Sequence, residues 1–146
     1  MHQLNLPDYN FRIQSKGEKK YIFDRIRRRY VLLTPEEWVR QNFMLYLISE
    51  KQYPGSLMAV EKQISINGML FRFDLMVYNR TGLPHLIAEF KAPTVEITQQ
   101  AFDQVVRYNM AFKVEIVVVS NGMQHFACRI DYPNQTYSFL QEVPLF

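Results

Sequence analysis

Residues 70–78 read LFRFDLMVY and residues 85–91 read HLIAEFK, and these two stretches decide the fold of the chain. Their aromatic and β-branched residues predict two neighbouring strands with a turn between them. Because side chains alternate between the two faces of a strand, Glu89 and Lys91 point the same way. If the strands pair as a hairpin, Asp74 comes level with them. Two carboxylates and one ammonium group would then converge at a sheet edge, the minimum set for holding Mg²⁺ and activating water against a phosphodiester.

A capped helix precedes these strands. Thr34 is placed to act as its N-cap, Pro35 takes the first helical position, and Glu37 stands where it would complete a capping box. We expect the helix to run to about Lys51 and to end before the Tyr-Pro-Gly sequence at residues 53–55. Its apolar content is wide enough to be covered on more than one side.

Three strands in a meander follow the first helix. Residues 57–67 are expected to pair with residues 69–78 across the dipeptide Asn67-Gly68, which is a strong signal for a short hairpin. Residues 85–91 then form the third strand of the meander.

A second helix and a buried strand complete the pattern. The helix begins at a cap supplied by Thr94 or Thr98 and ends near Phe112. Residues 114–119 (VEIVVV) are typical of a strand buried on both faces. A strand, a crossover helix and a buried strand in this order imply a parallel pair with a right-handed connection. Two further strands are expected over residues 123–130 and 136–140. The predicted fold is therefore α/β, with a mixed central β-sheet flanked by helices.

The composition indicates one globular domain, residues 1–146, rather than a disordered or membrane-spanning chain. Hydrophobic residues make up 48% of it, and no apolar run approaches the ~18–20 residues that a bilayer span needs. The start of the chain lacks a signal-peptide pattern, and the single cysteine, Cys128, allows no internal disulfide. We therefore expect a cytoplasmic location. Within the domain we distinguish an N-terminal arm (residues 1–33) from a core (residues 34–140).

The N-terminal arm is basic. Residues 1–30 hold eight Lys or Arg against three Asp or Glu, although the net charge of the whole chain is only +3. Residues 9–13 and 20–23 predict a β-hairpin, and the basic run RIRRR at residues 25–29 follows it. This run is either an ordinary solvated face or, because aromatic residues are interleaved with it, a contact for the phosphate backbone of DNA.

The element order and the site residues together resemble the PD-(D/E)XK nuclease superfamily, and within it the N-terminal nuclease domain of type I restriction enzyme R subunits. The matching segments are Arg72-Phe-Asp74, Ile87-Ala-Glu-Phe-Lys91-Ala-Pro93, Gln104-Val-Val-Arg-Tyr108 and Val119-Ser-Asn-Gly122. The resemblance covers roughly residues 34–127 and implies a restriction-endonuclease-like core. Phe73 stands where the superfamily name has a proline. The chain contains no Gly-X-X-X-X-Gly-Lys-Ser/Thr loop, so ATP-driven translocation would have to come from another polypeptide or be absent.

The resemblance implies a Mg²⁺-dependent endonuclease that hydrolyses DNA, with Mn²⁺ as a substitute for Mg²⁺. Asp74, Glu89 and the backbone carbonyl of Phe90 would hold the metal. Lys91 would position the attacking water and offset the charge that develops in the transition state. The implied partners are DNA and motor or specificity subunits on other chains. Because so small a chain offers little surface to grip duplex DNA as a monomer, a homodimer is also expected.

Other residues of the resemblance have structural alternatives. Gln104 and Tyr108, four residues apart on one helical face, would lie beside the active site, or they form a polar ridge on an amphipathic helix. Glu37 could approach the metal, as a first-helix Glu does in many superfamily members, or be occupied by its capping box. Arg40 could reach a phosphate, but we favour a salt bridge with Glu36 or Glu37. The alternative function is a catalytically silent nuclease-fold module that binds nucleic acid or a partner protein.

Overall fold

The computed structural model describes residues 1–146 and contains two β-sheets and two α-helices. The first sheet is formed by β1 (Ile13–Lys16), β2 (Lys19–Asp24) and β3 (Arg29–Leu32). Helix α1 (Pro35–Lys51) leads to the second sheet, which consists of β4 (Met58–Ile66), β5 (Met69–Tyr78), β6 (Pro84–Phe90), β7 (Ile116–Ser120), β8 (His125–Asp131) and β9 (Thr136–Leu140). Helix α2 (Gln99–Asn109) lies between β6 and β7 in sequence. Neither α-helix is both long enough and apolar enough to cross a membrane.

The second sheet is mixed, as the sequence predicts. Its strands follow the spatial order β4-β5-β6-β7-β8-β9. Strands β6 and β7 are parallel, with α2 as the crossover between them, and all other neighbours are antiparallel. The α/β architecture with a mixed sheet flanked by helices is therefore confirmed.

Short-range signals in the sequence produce the turns and helix starts that were expected from them. Ile66 pairs with Met69, and Asn67 and Gly68 between them both have positive φ angles, 50° and 77°. A two-residue loop of this kind matches the twist of the strands that it joins. At the start of α2 the cap is Thr98, whose hydroxyl accepts the N–H of Ala101 at 3.1 Å.

Two core layers lie on the two faces of the second sheet. Helix α1 packs on one face and α2 on the other, so β7 is buried on both sides along its whole length. The α1 layer contains Val39, Phe43, Leu47, Leu75, Leu86, Ile116 and Val118. The α2 layer contains Phe73, Phe102, Val106, Val117 and Val119. The β-branched run of β7 thus supplies alternate side chains to both layers, which explains why the whole run is apolar.

The N-terminal segment differs from the predicted hairpin. It forms a sheet of three strands, its first strand begins at Ile13 rather than covering residues 9–13, and the end of the basic run enters the third strand. Asp24 explains the extra turn, because its carboxylate accepts the backbone N–H groups of Ile26 at 2.7 Å and Arg27 at 2.8 Å. Arg28 then takes a left-handed conformation with φ 56°, and the chain reverses into β3.

Both ends of the chain are fastened to the core. Leu4 and Leu6 pack against the α1 layer, and the backbone N–H of Asn5 donates to the carbonyl of Gly122 at 2.8 Å. At the other end, Val143 is buried in the same layer with 4% exposure. The ends of the chain therefore contribute to the packing that supports the sheet.

Candidate active site

One cavity of about 890 Å³ brings together the residues that the sequence singled out. It opens between the N-terminal sheet, the start of α1 and the inner face of α2. Its lining includes Glu37, Asp74, Glu89, Phe90, Lys91, Gln104 and Tyr108. The predicted site residues therefore share one concave surface although they come from four different elements and the connection that follows β6.

Asp74 lies at an irregular point of β5. The pairing of β5 with β6 ends at Leu75 and Ala88, and one further step places Asp74 opposite Glu89. Residues two apart on a regular strand point to the same face of the sheet. Phe73 packs in the α2 layer but Leu75 packs in the α1 layer, so the side chains of β5 change face at Asp74. The carboxylate fills the gap in the ladder by accepting the backbone N–H of Phe90 at 2.8 Å. This bond brings Asp74 beside the Glu-Phe-Lys sequence, as the hairpin argument predicts.

Glu89 and Lys91 lie on the face of the sheet that α2 covers. Glu89 has the same orientation as Ile87, which packs in the α2 layer. The Lys91 Nζ atom is 3.9 Å from the Glu89 Oε1 atom, and their side chains are 40% and 33% exposed. At this distance and exposure the ion pair contributes little to stability, and both groups are accessible from the cavity.

The two carboxylates repel each other in a partly buried position. Burial raises the pKa of Asp74, and the hydrogen bond from Phe90 and the charge of Arg40 offset only part of this effect. Burial and the charge of Asp74 raise the pKa of Glu89 to about 7, despite the opposing charge of Lys91. A pair of carboxyl groups with raised pKa values in a cavity indicates a functional site, because the fold keeps both without neutralising them.

The donor atoms of this pair fit a hard divalent cation. Two carboxylates and the backbone carbonyl of Phe90 offer oxygen ligands, which Mg²⁺ and Mn²⁺ prefer. No group of three His, Cys, Asp or Glu side chains is close enough together to hold a metal ion. The donor set therefore suits an ion such as Mg²⁺, which keeps several waters and takes only one or two carboxylates from the protein.

Tyr108 and Gln104 both line the cavity, but they make different contacts. The Tyr108 hydroxyl accepts the backbone N–H of Arg72 at 3.0 Å, and its ring packs 5.1 Å from that of Phe71. Tyr108 thus joins α2 to the strand that carries Asp74. Gln104 is exposed and makes no hydrogen bond to another residue, so its amide is free to meet a ligand.

Glu37 belongs to a different network. Thr34 caps α1 as predicted, since its hydroxyl accepts the Glu37 N–H at 3.0 Å. The reciprocal half of the capping box is absent, because the Thr34 N–H donates to the carbonyl of Leu32 at 3.2 Å. The Glu37 carboxylate instead accepts from Arg40 at 2.6 and 2.9 Å and from Arg27 at 2.8 Å.

These contacts engage the oxygens of Glu37 that a metal ion would need. Gln41 also donates to it at 3.1 Å, so both carboxylate oxygens are occupied. Burial would raise the pKa of Glu37, but the bonds and charges of Arg40 and Arg27 outweigh burial and lower it to about 2. The structure therefore assigns Glu37 to an ion-pair network, and it confirms the expected salt bridge between Arg40 and Glu37.

The same network corrects the interpretation of the basic run. Arg27 is not an ordinary solvated side chain, because it is only 13% exposed and pairs with Asp24 at 2.6 Å and with Glu37. Asp24 is completely buried and also accepts from Gln41 at 2.9 Å. This network attaches the N-terminal sheet to α1, and Glu61 on β4 extends it towards the cavity.

Sequence reasoning missed a connected group of side chains at the cavity. Arg27, Glu61 and Arg72 line it, and Asp24 and Gln41 belong to the same network outside the lining. The only local signal among them is Asp24, since an Asp at the end of a strand commonly opens a turn. The other contacts join segments that are distant in sequence, and no spacing rule points to them.

Comparison with known proteins agrees with this architecture. The family model described as type I restriction enzyme R protein N terminus (HSDR_N) matches residues 35–144. The fold is similar to a fragment structure described as an HsdR subunit of a type I restriction enzyme from Vibrio vulnificus YJ016, with a TM-score of 0.55 and 16% sequence identity. That similarity covers 77% of this chain and 24% of the other, and at this identity it concerns the fold alone. No curated protein matches the sequence. Because the family model spans most of the chain, including both helices and the whole second sheet, the chain belongs to the family of type I restriction enzyme R protein N termini.

Proposed function

We propose that this chain is a Mg²⁺-dependent endonuclease domain that hydrolyses phosphodiester bonds of DNA. The observation that carries the proposal is the bond from the Phe90 N–H to Asp74, which sets two carboxylates and Lys91 on one wall of the cavity. Membership of the restriction enzyme family supports DNA as the substrate.

The residues would act through their charges and positions. Asp74, Glu89 and the Phe90 carbonyl would hold the cation, which, when bound, would polarise the phosphodiester and make water more acidic. Lys91 would place a positive charge where the phosphate gains negative charge. Gln104, exposed on α2 at the cavity, would orient the substrate, and Tyr108 would position the strand that carries Asp74 through its bond to the backbone of Arg72.

The raised pKa of Glu89 is consistent with a role in binding a cation. With a pKa of about 7, Glu89 is only half ionised at neutral pH while no cation opposes the charge of Asp74. A divalent cation between the two carboxylates would remove this repulsion and lower the pKa of Glu89. Cation binding should therefore release protons from the protein near pH 7.

A cleavage assay tests the proposal. Supercoiled plasmid and single-stranded DNA are incubated with Mg²⁺, Mn²⁺ or EDTA and with wild-type protein, Asp74→Asn or Lys91→Ala. Asn keeps an oxygen that can accept the Phe90 N–H, so Asp74→Asn removes charge with little change of shape. Asp8→Asn is the matched control, because Asp8 is exposed and lies outside the cavity.

We expect cation-dependent cleavage by the wild type and by Asp8→Asn, and a loss of at least about 100-fold in the other two variants, which corresponds to about 2.7 kcal/mol of transition-state stabilisation. Cleavage that survives both substitutions would contradict the proposal.

The second candidate is a catalytically silent module that binds nucleic acid or a partner protein. It is favoured by the modest net charge of the chain, +3, and by the lack of a motor motif in the sequence. Calorimetric titration with Mn²⁺ separates the two candidates. If the protein binds DNA but takes up no Mn²⁺, the silent module is the better description.

The wider expectations stay predictions. Motor and specificity subunits on other chains are proposed from the family alone, and they can be sought by co-purification of the native complex. A homodimer and a cytoplasmic location are likewise untested, and sedimentation of the purified chain would decide the oligomeric state.

A further inference from the structure

Glu61 occupies an unusual position on the wall of the cavity. It lies in the middle of β4, where Val60 pairs with Leu75 and Lys62 pairs with Phe73, yet its own φ angle is 52°. A left-handed backbone is costly for a residue with a side chain, and within a strand it persists only where surrounding contacts hold it. The strand keeps its register on both sides of Glu61, but its side chains change face there, since Val60 packs against the α1 layer and Ile64 against the α2 layer.

The side chain of Glu61 meets three guanidinium groups. Its carboxylate oxygens lie 3.2 Å from Arg40, 3.4 Å from Arg72 and 3.5 Å from Arg27. These arginines come from α1, from β5 and from the turn between β2 and β3. All four side chains line the cavity that contains Asp74 and Glu89.

The carboxylates around these arginines differ in how firmly they are held. Asp24 and Glu37 are buried, with side chains 0% and 6% exposed, and each is bound by several donors at hydrogen-bond distance. Glu61 is 37% exposed, and two of its three contacts are longer than 3.3 Å. Three guanidinium groups thus face two fixed carboxylates and one that is free to move into solvent.

We propose that Arg27, Arg40 and Arg72 form a binding site for one phosphate group of a nucleic acid backbone, and that Glu61 occupies this site in the free protein. The proposal rests on the proposed function only in taking nucleic acid as the ligand. A phosphodiester carries one negative charge and two free oxygens, as a carboxylate does, so it replaces Glu61 without changing the charge balance. Guanidinium groups bind such oxygens in pairs, which makes arginine suited to either anion.

The position of this site determines its role. It lies on the same cavity as Asp74 and Glu89. The phosphate that it holds would therefore be near the scissile phosphate, which a cation bound by those carboxylates would contact. The arginines would then fix the path of the strand through the cavity. Glu61 must leave the arginines before a phosphate of the nucleic acid can bind. The protein therefore has a lower affinity for that phosphate than it would have without Glu61.

Binding in EDTA tests the proposal without any cleavage. Fluorescence anisotropy of a labelled oligonucleotide, single-stranded or duplex, is measured against salt concentration for the wild type and for Glu61→Gln. Glu50→Gln is the matched control, because Glu50 is exposed on α1, has no ion pair and lies outside the cavity. We expect Glu61→Gln to bind about tenfold more tightly than the wild type, whereas Glu50→Gln should change the affinity less than about twofold.

A second pair of variants removes a positive charge instead. The Arg72 side chain is 60% exposed and its only ion pair is with Glu61, so Arg72→Ala leaves the fold intact. It should weaken binding severalfold and reduce the salt slope by about 0.7–0.9. Arg107→Ala is the control, since Arg107 is exposed on α2 outside the cavity. This pair decides the question if Glu61→Gln does not fold.

Several results would overturn the proposal. Equal affinities for Glu61→Gln and Glu50→Gln, or equal effects of Arg72→Ala and Arg107→Ala, would show that the cluster does not contact the backbone. Stabilisation of Glu61→Gln by orthophosphate, without tighter binding of either oligonucleotide, would assign the site to free phosphate. The proposed nuclease activity can fail while these binding trends persist, and the reverse is equally distinguishable, because the binding assay contains no divalent cation.

Discussion

The substitution Glu37→Gln should strongly destabilise the protein. The Glu37 carboxylate is 5% exposed and is the main counter-ion of Arg40, from which it accepts two hydrogen bonds, and it also accepts one from Arg27. Glutamine has the same shape but no charge, and one end of its amide donates where an acceptor is needed. Arg40, itself 9% exposed, would be left buried without its partner.

The magnitude follows from the pKa of Glu37. Burial raises it, but Arg40 and Arg27 outweigh burial and lower it from 4.5 to about 2. A shift of that size corresponds to about 3 kcal/mol of folding free energy at pH 7. Because the pKa is lowered in the folded state, this contribution is complete above the unfolded value and is lost as the pH falls towards about 2. At pH 3, between the two pKa values, about half of it should remain.

Urea unfolding followed by circular dichroism at pH 7 and pH 3 measures both values. Glu36→Gln is the matched control, since Glu36 lies in the same first turn of α1 and is exposed. It shares the interaction with the helix dipole, worth about 0.3–1 kcal/mol, but none of the arginine contacts. The reasoning is refuted if Glu37→Gln loses no more stability than Glu36→Gln at pH 7, or if its loss is the same at both pH values.

Three further predictions concern the site and the core. Glu89→Gln should stabilise the protein in EDTA at pH 8, because burial and Asp74 raise the pKa of Glu89 to about 7. Between pH 4.5 and about 7 the folded state holds a proton that the unfolded state has released, so stability falls over this range and the full cost of ionised Glu89 is present at pH 8. After discounting for the one-third exposure of Glu89, we expect a gain of about 1 kcal/mol, or 2–4 °C in Tm, that vanishes near pH 4; calorimetry showing no gain at pH 8 would contradict this. Tyr108→Phe keeps the ring packing but loses the bond to the Arg72 N–H, and should cost about 1 kcal/mol in urea unfolding. Burial raises the pKa of Cys128 to about 12, so a thiol reagent at pH 8 should label it only in denaturant; rapid labelling of the folded protein would show that the core opens there.

Local signals in the sequence account for much of the fold. The Asn67-Gly68 hairpin, the Thr34 cap and the buried run of β7 each depend on a few neighbouring residues, and each forms as expected. The convergence of Asp74 with Glu89 could also be predicted, because strand pairing and side-chain alternation place them together once the hairpin is accepted. These arguments need only spacing along the chain.

Contacts between distant segments could not be predicted in this way. Arg27 lies in a run whose composition is that of a solvated face, and nothing in the run shows that Asp24 and Glu37 meet it. The capping box failed for a related reason. Glu37 has the spacing from Thr34 that a capping box requires. However, a hydrogen bond to a charged guanidinium group is stronger than one to a backbone N–H, so its carboxylate binds Arg27 and Arg40 instead. Rules based on neighbouring residues predict which local contacts a side chain can make. They do not predict which side chains from distant segments will lie beside it in the folded protein.

The carboxylates of the cavity show what this limit means for assigning function. Glu37 and Glu89 line the same cavity. From the sequence, Glu89 is an expected metal ligand, and Glu37 is either a further ligand or a capping residue. Their surroundings separate them: two arginines lower the pKa of Glu37 to about 2, whereas burial and Asp74 raise that of Glu89 to about 7. A cation adds little electrostatic stabilisation to a carboxylate that is already paired with arginines. It adds much more where it relieves the repulsion between two neighbouring carboxylates. Whether a carboxylate of this cavity is free to bind a cation therefore depends on the placement of the arginines, which is set only when the N-terminal sheet, α1 and the strands assemble around it.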